Sequence, residues 1–172
     1  EKISGPDLME LLCERAAKKG YRIFLLGAGP GVAANAAKNL EQRYPGFQCV
    51  GTYSPPMGFE KDPKEMEKII SMLKESQADQ LFVGMGSPKQ DIFIYENMQK
   101  YQIPVSYSMG AALDFIGGSV KRAPKWMCDH GLEWLHRCMT NPKRLVKRYV
   151  EDLRIFSYYR KFRRQEKKAG RL

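Results

Sequence analysis

Apolar positions along the first two thirds of the chain fall into short, closed runs separated by longer stretches of helical periodicity. Four runs, residues 22–26, 48–53, 80–83 and 105–108, recur about every thirty residues and are rich in β-branched and aromatic side chains. Between them, residues 7–19, 30–43, 63–76 and 88–100 place apolar side chains at helical spacing. Strands that are apolar on both faces and alternate with helices predict βαβ crossovers, hence a doubly wound α/β fold with helices on both faces of a parallel sheet. Pro30, Pro63 and Pro88 each stand where a first-turn proline loses no hydrogen bond, and Asp62 and Ser87 are expected N-caps.

The pattern changes after Ser108. Residues 110–123 read as a loop-rich connection with a short helical piece, and 124–138 as one helix. Asn141-Pro142 breaks the pattern, and a basic amphipathic segment follows. Taking about 100° per residue, Leu145, Val146, Tyr149, Val150, Leu153, Phe156 and Tyr159 share roughly half of a helix circumference, although Arg160 and Arg164 interrupt it late. The expected organisation is therefore a core over 1–140 and a basic helical appendage over 141–172.

Charge sharpens that division. Of a formal +10 over 172 residues, +9 belongs to residues 143–172, which hold twelve Lys or Arg against three acids. A protein that coats nucleic acid on all sides is disfavoured, and a near-neutral domain with a basic tail is expected. No apolar run approaches the roughly 20 residues of a membrane span, and no signal peptide is visible, so the protein is expected to be soluble or peripheral. Cys13, Cys49, Cys128 and Cys138 are scattered without a C-x-x-C pair, which favours a reducing compartment over a disulfide framework. Starting at Glu1, the chain is expected to be a piece of a longer protein.

Two glycine-rich turns are placed to carry chemistry. FLLGAGPG, Phe24 to Gly31, runs from strand to helix and would let backbone amides approach a phosphate at the helix N-terminus through Gly27 and Gly29. Its spacing is not G-x-G-x-x-G, and the CVGTYS stretch about twenty residues on offers no acid for a ribose, which argues against a dehydrogenase. A turn needed only for tight packing is the alternative. VGMGSPKQD, Val83 to Asp91, ends the third strand; Gly84 and Gly86 clear space while Ser87, Lys89 and Gln90 offer a cap, a cation and an amide suited to a diphosphate or a sugar hydroxyl.

A third stretch, from Ala112 to Arg148, contains Asp114 among apolar residues before Gly117-Gly118. That carboxylate is a general base or hydroxyl ligand on one reading, and a cap for the following loop on the other. Lys121, Arg122, Arg137, Arg144, Lys147 and Arg148 interleave with Trp126, Trp134 and Tyr149. Such cations can stabilise a departing diphosphate, or form a solvated helix face. Cys128, His130, His136 and Cys138, if on one helix, point in directions too different to share one ion, so no metal is expected.

Together these residues resemble the WecG/TagA/CpsF glycosyltransferase family. The likeness runs from Ile3-Ser4-Gly5-Pro6-Asp7-Leu8 through Arg148 and rests on five ordered blocks: FLLGAGPGVA, YPGFQCVGTYSP, LFVGMGSPKQD, DFIGGSVKRAPKWM and GLEWLHRCMTNPKRLVKRY. It implies a Rossmann-like, inverting, metal-independent enzyme that moves N-acetylmannosamine or its uronic acid from a UDP-sugar to undecaprenyl-diphosphate-linked N-acetylglucosamine, with no cofactor. It also implies that Gln90 lies in the substrate pocket, and that Arg137 and Arg144 close over it and neutralise UDP. Lys147, with Arg148 beside it, stands where the family has a further arginine. The family's general base, an aspartate, is expected upstream of Glu1.

The expected catalytic set is thus Gln90, Arg137 and Arg144. The substrate set is Gly27, Gly29, Gly84, Gly86, Ser87, Lys89, Asp114, Lys147 and Arg148. Expected partners are a UDP-sugar, a lipid-diphosphate-linked acceptor and an anionic membrane surface reached by the tail on the cytoplasmic face, with homo-oligomers allowed and no nucleic acid. Other donors, UDP-glucose or UDP-N-acetylmannosaminuronic acid, and a non-enzymatic nucleic-acid-binding module are the alternatives.

Overall fold

A computed structural model describes residues 4–140 and 153–168. They fall into two compact units, Glu1–Lys121 and Arg122–Leu172. The first unit runs α1 (Gly5–Lys19), β1 (Arg22–Gly27), α2 (Val32–Arg43), β2 (Gln48–Tyr53), a 3-10 turn (Phe59–Lys61), α3 (Pro63–Ser76), β3 (Gln80–Gly84), α4 (Lys89–Tyr101), β4 (Val105–Ser108) and α5 (Ala112–Ile116). The four strands pair in parallel in the order β2-β1-β3-β4. The fold is α/β, as the strand and helix rhythm predicts.

Strand alternation divides the core into two layers. Ile23 and Leu25 of β1 and Phe82 of β3 face α1, α2 and α5, where they pack with Met9, Cys13, Ala36, Leu40 and Leu113. Phe24 and Leu26 of β1 and Leu81 and Val83 of β3 face α3 and α4, where they meet Ile69, Leu73, Phe93 and Tyr101. Adjacent β residues point to opposite faces, so runs such as IFLL (residues 23–26) and LFV (residues 81–83) stay apolar throughout when both faces are covered. The helices contribute single stripes, as in α1, where Met9, Cys13 and Ala16 are buried.

Helix boundaries follow local chemistry, with two corrections to the expected starts. Asp62 caps α3 as predicted, accepting from Lys64 N–H at 3.0 Å and Glu65 N–H at 3.4 Å, with Pro63 in the first turn. Ser87 does not cap α4: the Ser87-Pro88 peptide is cis, Pro88 itself occupies the cap position, and the helix opens at Lys89. Pro30 likewise lies outside α2, which opens at Val32 behind Gly31 in the left-handed region at φ 77°. In both places the chain turns once more than a proline-first helix would.

The second unit contains α6 (Lys125–Asp129), α7 (Glu133–Thr140) and α8 (Arg154–Lys168). The single helix expected over 124–138 is two, because Gly131 takes a left-handed φ of 72° and Leu132 N–H turns back to Met127 O at 2.7 Å. Along α8, Ile155, Phe156, Tyr158, Tyr159 and Phe162 are all exposed and, at about 100° per residue, share one side of the helix, while the basic residues lie mostly on the other. No helix among the described residues is long and apolar enough to cross a membrane.

Candidate active site

The strand order places the site. From β1 the chain crosses to β2 on one side, and from β2 it returns to β3 on the other side of β1. The connections that leave β1 and β3 therefore diverge to opposite faces, and the carboxyl ends of these strands form the switch point at which open parallel sheets bind ligands. The two glycine-rich turns, 57 residues apart in sequence, meet there: Gly27 is the register partner of Gly84.

Their contact tolerates no side chain. A Cβ on Gly27, at φ 112°, would come within 2.5 Å of the Gly84 carbonyl oxygen, which accepts the Ala28 N–H at 2.7 Å. A Cβ on Gly84 would meet Leu113 Cδ1 at 2.6 Å and Gly110 O at 2.9 Å. The ends of β1, β3 and β4 thus form a floor of glycine backbone. Gly29 continues the first turn, and the Ser54 hydroxyl pins it by donating to Gly27 O at 3.1 Å and Gly29 O at 3.0 Å. Gly86, at φ 81°, faces open space.

Gln90 lies at this floor in the first turn of α4. It is 6% exposed, and its Oε1 accepts the Gly110 N–H at 3.0 Å. Beside it, Asp91 Oδ1 accepts the Ser108 hydroxyl at 2.5 Å. The Lys89 ammonium pairs with Glu60 at 3.0 Å and lies 5.5 Å from the centre of the Phe59 ring. Glu60 is held below the usual carboxylate range by its own backbone N–H first and by Lys89 second.

Asp114 sits in α5, and its backbone oxygen and Oδ1 both accept the Ser119 hydroxyl, at 3.1 and 3.2 Å. These bonds tie α5 to the loop that follows it. At the end of β2, where the sequence supplies no acid, the fold brings one in: Tyr53 donates to Glu65 from the first turn of α3, and Lys68 donates to the Tyr53 oxygen at 2.6 Å. Gly110, Ser54 and Glu65 escape sequence reasoning because each acts through a partner distant in the chain. The single local signal was the glycine that follows β4.

Arg137 lies in α7 of the second unit. Arg144, Lys147 and Arg148 lie outside the described residues. The four candidate metal ligands are split between the α6 region and α7, and among the described residues no three His, Cys, Asp or Glu side chains converge on a metal position. Burial raises the Cys13 thiol and pushes Cys49 up to about 11, so neither is a thiolate nucleophile near neutral pH.

The site's geometry stands beside a comparison with known sequences. The profile of the glycosyl transferase WecG/TagA/CpsF family matches residues 1–169. The chain belongs to this family. A relative from Bacillus spizizenii, an N-acetylglucosaminyldiphosphoundecaprenol N-acetyl-beta-D-mannosaminyltransferase, is 34% identical over 143 residues, which are 83% of this chain and 53% of the relative. The chain spans about half the length of that WecG/TagA/CpsF relative.

Proposed function

We propose that the protein transfers N-acetylmannosamine from UDP-N-acetylmannosamine to undecaprenyl-diphosphate-linked N-acetylglucosamine, as the name of the Bacillus relative describes, in the synthesis of a teichoic-acid-type cell-wall polymer. The observation that carries this reading is the glycine floor at the β1–β3 switch point with Gln90 beside it. A diphosphate can rest on peptide N–H groups there because no side chain intervenes, and the uncapped first turns of α2 and α4 present their positive ends.

The transfer is a direct displacement with inversion and without a metal. An acceptor hydroxyl, deprotonated by a carboxylate base expected upstream of Glu1, attacks the anomeric carbon while the bond to UDP breaks. Gln90 holds the sugar nucleotide, and Arg137, Arg144 and Lys147 or Arg148 take up the charge that develops on departing UDP. Gly27, Gly29, Gly84 and Gly86 line the diphosphate. Ser87, Lys89 and Asp114 complete the substrate set, Lys89 after leaving Glu60. The appendage docks on the anionic inner face of the cytoplasmic membrane, its exposed Phe and Tyr side of α8 in the interface and its basic side toward the headgroups.

The test is UDP release by the protein, carrying whatever sequence precedes Glu1, from a panel of UDP-sugars with a lipid-diphosphate acceptor analogue. Release is expected with UDP-N-acetylmannosamine, and Arg137→Ala is expected to abolish it. No release with any donor overturns the reading; release with a different UDP-sugar corrects only the donor. Flotation with vesicles tests docking, which falls if neutral and anionic lipids bind equally.

A further inference from the structure

The Gln90 carboxamide has two ends of opposite hydrogen-bonding character, and the fold engages one. A backbone N–H can be met only by the oxygen end, so the 3.0 Å bond from Gly110 N–H to Oε1 fixes which way the amide faces as well as where it lies. The turn that supplies this N–H is itself held from three sides. Met109 N–H donates to Val83 O at 2.8 Å, Ser108 Oγ donates to Asp91 Oδ1 at 2.5 Å, and the Gly110 oxygen lies against Gly84. Gly110 adopts the left-handed region at φ 55°, which suits glycine at this corner.

The end left over is the NH2 group. It has no hydrogen-bond partner among the described residues, although the Gln90 side chain is more than nine-tenths buried. It is not sealed either: the buried, unpaired side-chain atom among the described residues is Gln80 Oε1, at the opposite end of β3. A nearly buried donor beside the glycine floor, unpaired yet reachable, is arranged for an oxygen that arrives with a ligand.

We infer that Gln90 serves the site as a fixed hydrogen-bond donor, its Nε2 aimed at an acceptor oxygen of the sugar nucleotide, and that Gly110 is the positioning residue that sets this polarity. The identity of the oxygen rests on the sugar-nucleotide reading above; the lock by Gly110 does not. An NH2 group cannot take a proton from the attacking hydroxyl, so Gln90 is not the base.

Two substitutions separate lock from donor. Gln90→Glu keeps an oxygen for Gly110 and replaces the NH2 by an oxygen of similar size; Gln90→Leu removes both. Hydrogen exchange at the Gly110 amide reads the lock without ligand. It is expected to be slow in the parent and in Gln90→Glu and at least about tenfold faster in Gln90→Leu. Equal rates in all three overturn the lock.

UDP release reads the donor. At neutral pH Gln90→Glu is expected to lose about 100-fold in kcat/KM and to recover, relative to the parent, as falling pH gives its carboxyl a proton to donate. Gln90→Leu stays low at every pH. Parent-like activity of Gln90→Glu across the range overturns the donor role. If the parent turns over no UDP-sugar, the functional reading fails by itself, and the donor is then read from the Gln90 side-chain NH2 resonances, identified by their loss in Gln90→Glu. A shift on titration with inorganic pyrophosphate supports the donor, and no shift at any concentration overturns it.

Discussion

At the amino ends of β1 and β3 the chain fills space with side chains, whereas at their carboxyl ends it removes them. The amino end is tied together by side chains. Asp79 Oδ2 accepts the Arg22 N–H at 2.7 Å, Asp79 N–H returns to Arg22 O at 2.8 Å, and the Arg22 guanidinium donates to Ser76 O, the last carbonyl of α3, at 2.6 Å. A helix C-terminus and two strand starts are satisfied by one arginine and one aspartate. At the carboxyl end, Gly27, Gly84 and Gly110 touch through backbone, and α2 and α4 begin without a side-chain cap, unlike α3 with Asp62. One end ties strand starts and a helix end together through side chains, and the other brings backbone to backbone.

The sharpest way to break this contrast is to put side chains on the glycine floor. Gly27→Val forces a left-handed residue to carry a branched side chain whose Cβ starts 2.5 Å from the Gly84 oxygen. The expected loss is on the order of 3–5 kcal/mol, combining overpacking with the left-handed penalty, and appears as a lower urea midpoint. Gly84→Val has no such φ penalty, and Leu113 can yield in part, so about 2–3 kcal/mol is expected, and both variants are expected to lose UDP binding. A folded Gly27→Val that binds UDP as the parent does would mean that the close approach serves packing and not a ligand.

This contrast also explains what the chain discloses in one dimension. Strand bodies were legible because IFLL and LFV answer to a single rule, burial on both faces, that each residue obeys locally. The two glycine turns were legible as candidates for the same reason. Their contact was not, since the register of Gly27 with Gly84 is set by strand order, which no local pattern encodes. Lys89 shows the cost: read locally it is a cation beside the site, whereas the fold delivers Glu60 to it from the 3-10 turn. The 124–138 stretch misled differently, because helical periodicity on both sides concealed the break at Gly131.

Intermediate changes should separate the two ends. Asp79→Ala orphans the Arg22 N–H in a half-buried place and is expected to cost about 1–2 kcal/mol of stability while leaving UDP affinity unchanged. Ser54→Ala removes one hydroxyl shared by two carbonyls of the first glycine turn, so it should cost no more than about 1 kcal/mol but weaken UDP binding about three- to fivefold. Calorimetric titration beside denaturant unfolding measures both. If Asp79→Ala weakens UDP as much as Ser54→Ala does, the ends are coupled and the division of labour is wrong.

The smallest effect concerns Glu60, which pairs with Lys89. Its folded pKa is depressed, so its contribution to stability is present above the unfolded carboxylate pKa and is lost as pH falls through the folded value. Glu60→Gln should therefore differ from the parent near neutral pH and converge with it in acid, a small shift in urea midpoint given that the carboxylate is exposed. The same substitution frees Lys89. If Lys89 swings to the diphosphate, UDP binding tightens about twofold at low salt, an advantage that added salt screens away. Lys89→Met should reverse the gain in the Glu60→Gln background. Should both variants bind UDP as the parent does, Lys89 serves its pair with Glu60 and not the diphosphate.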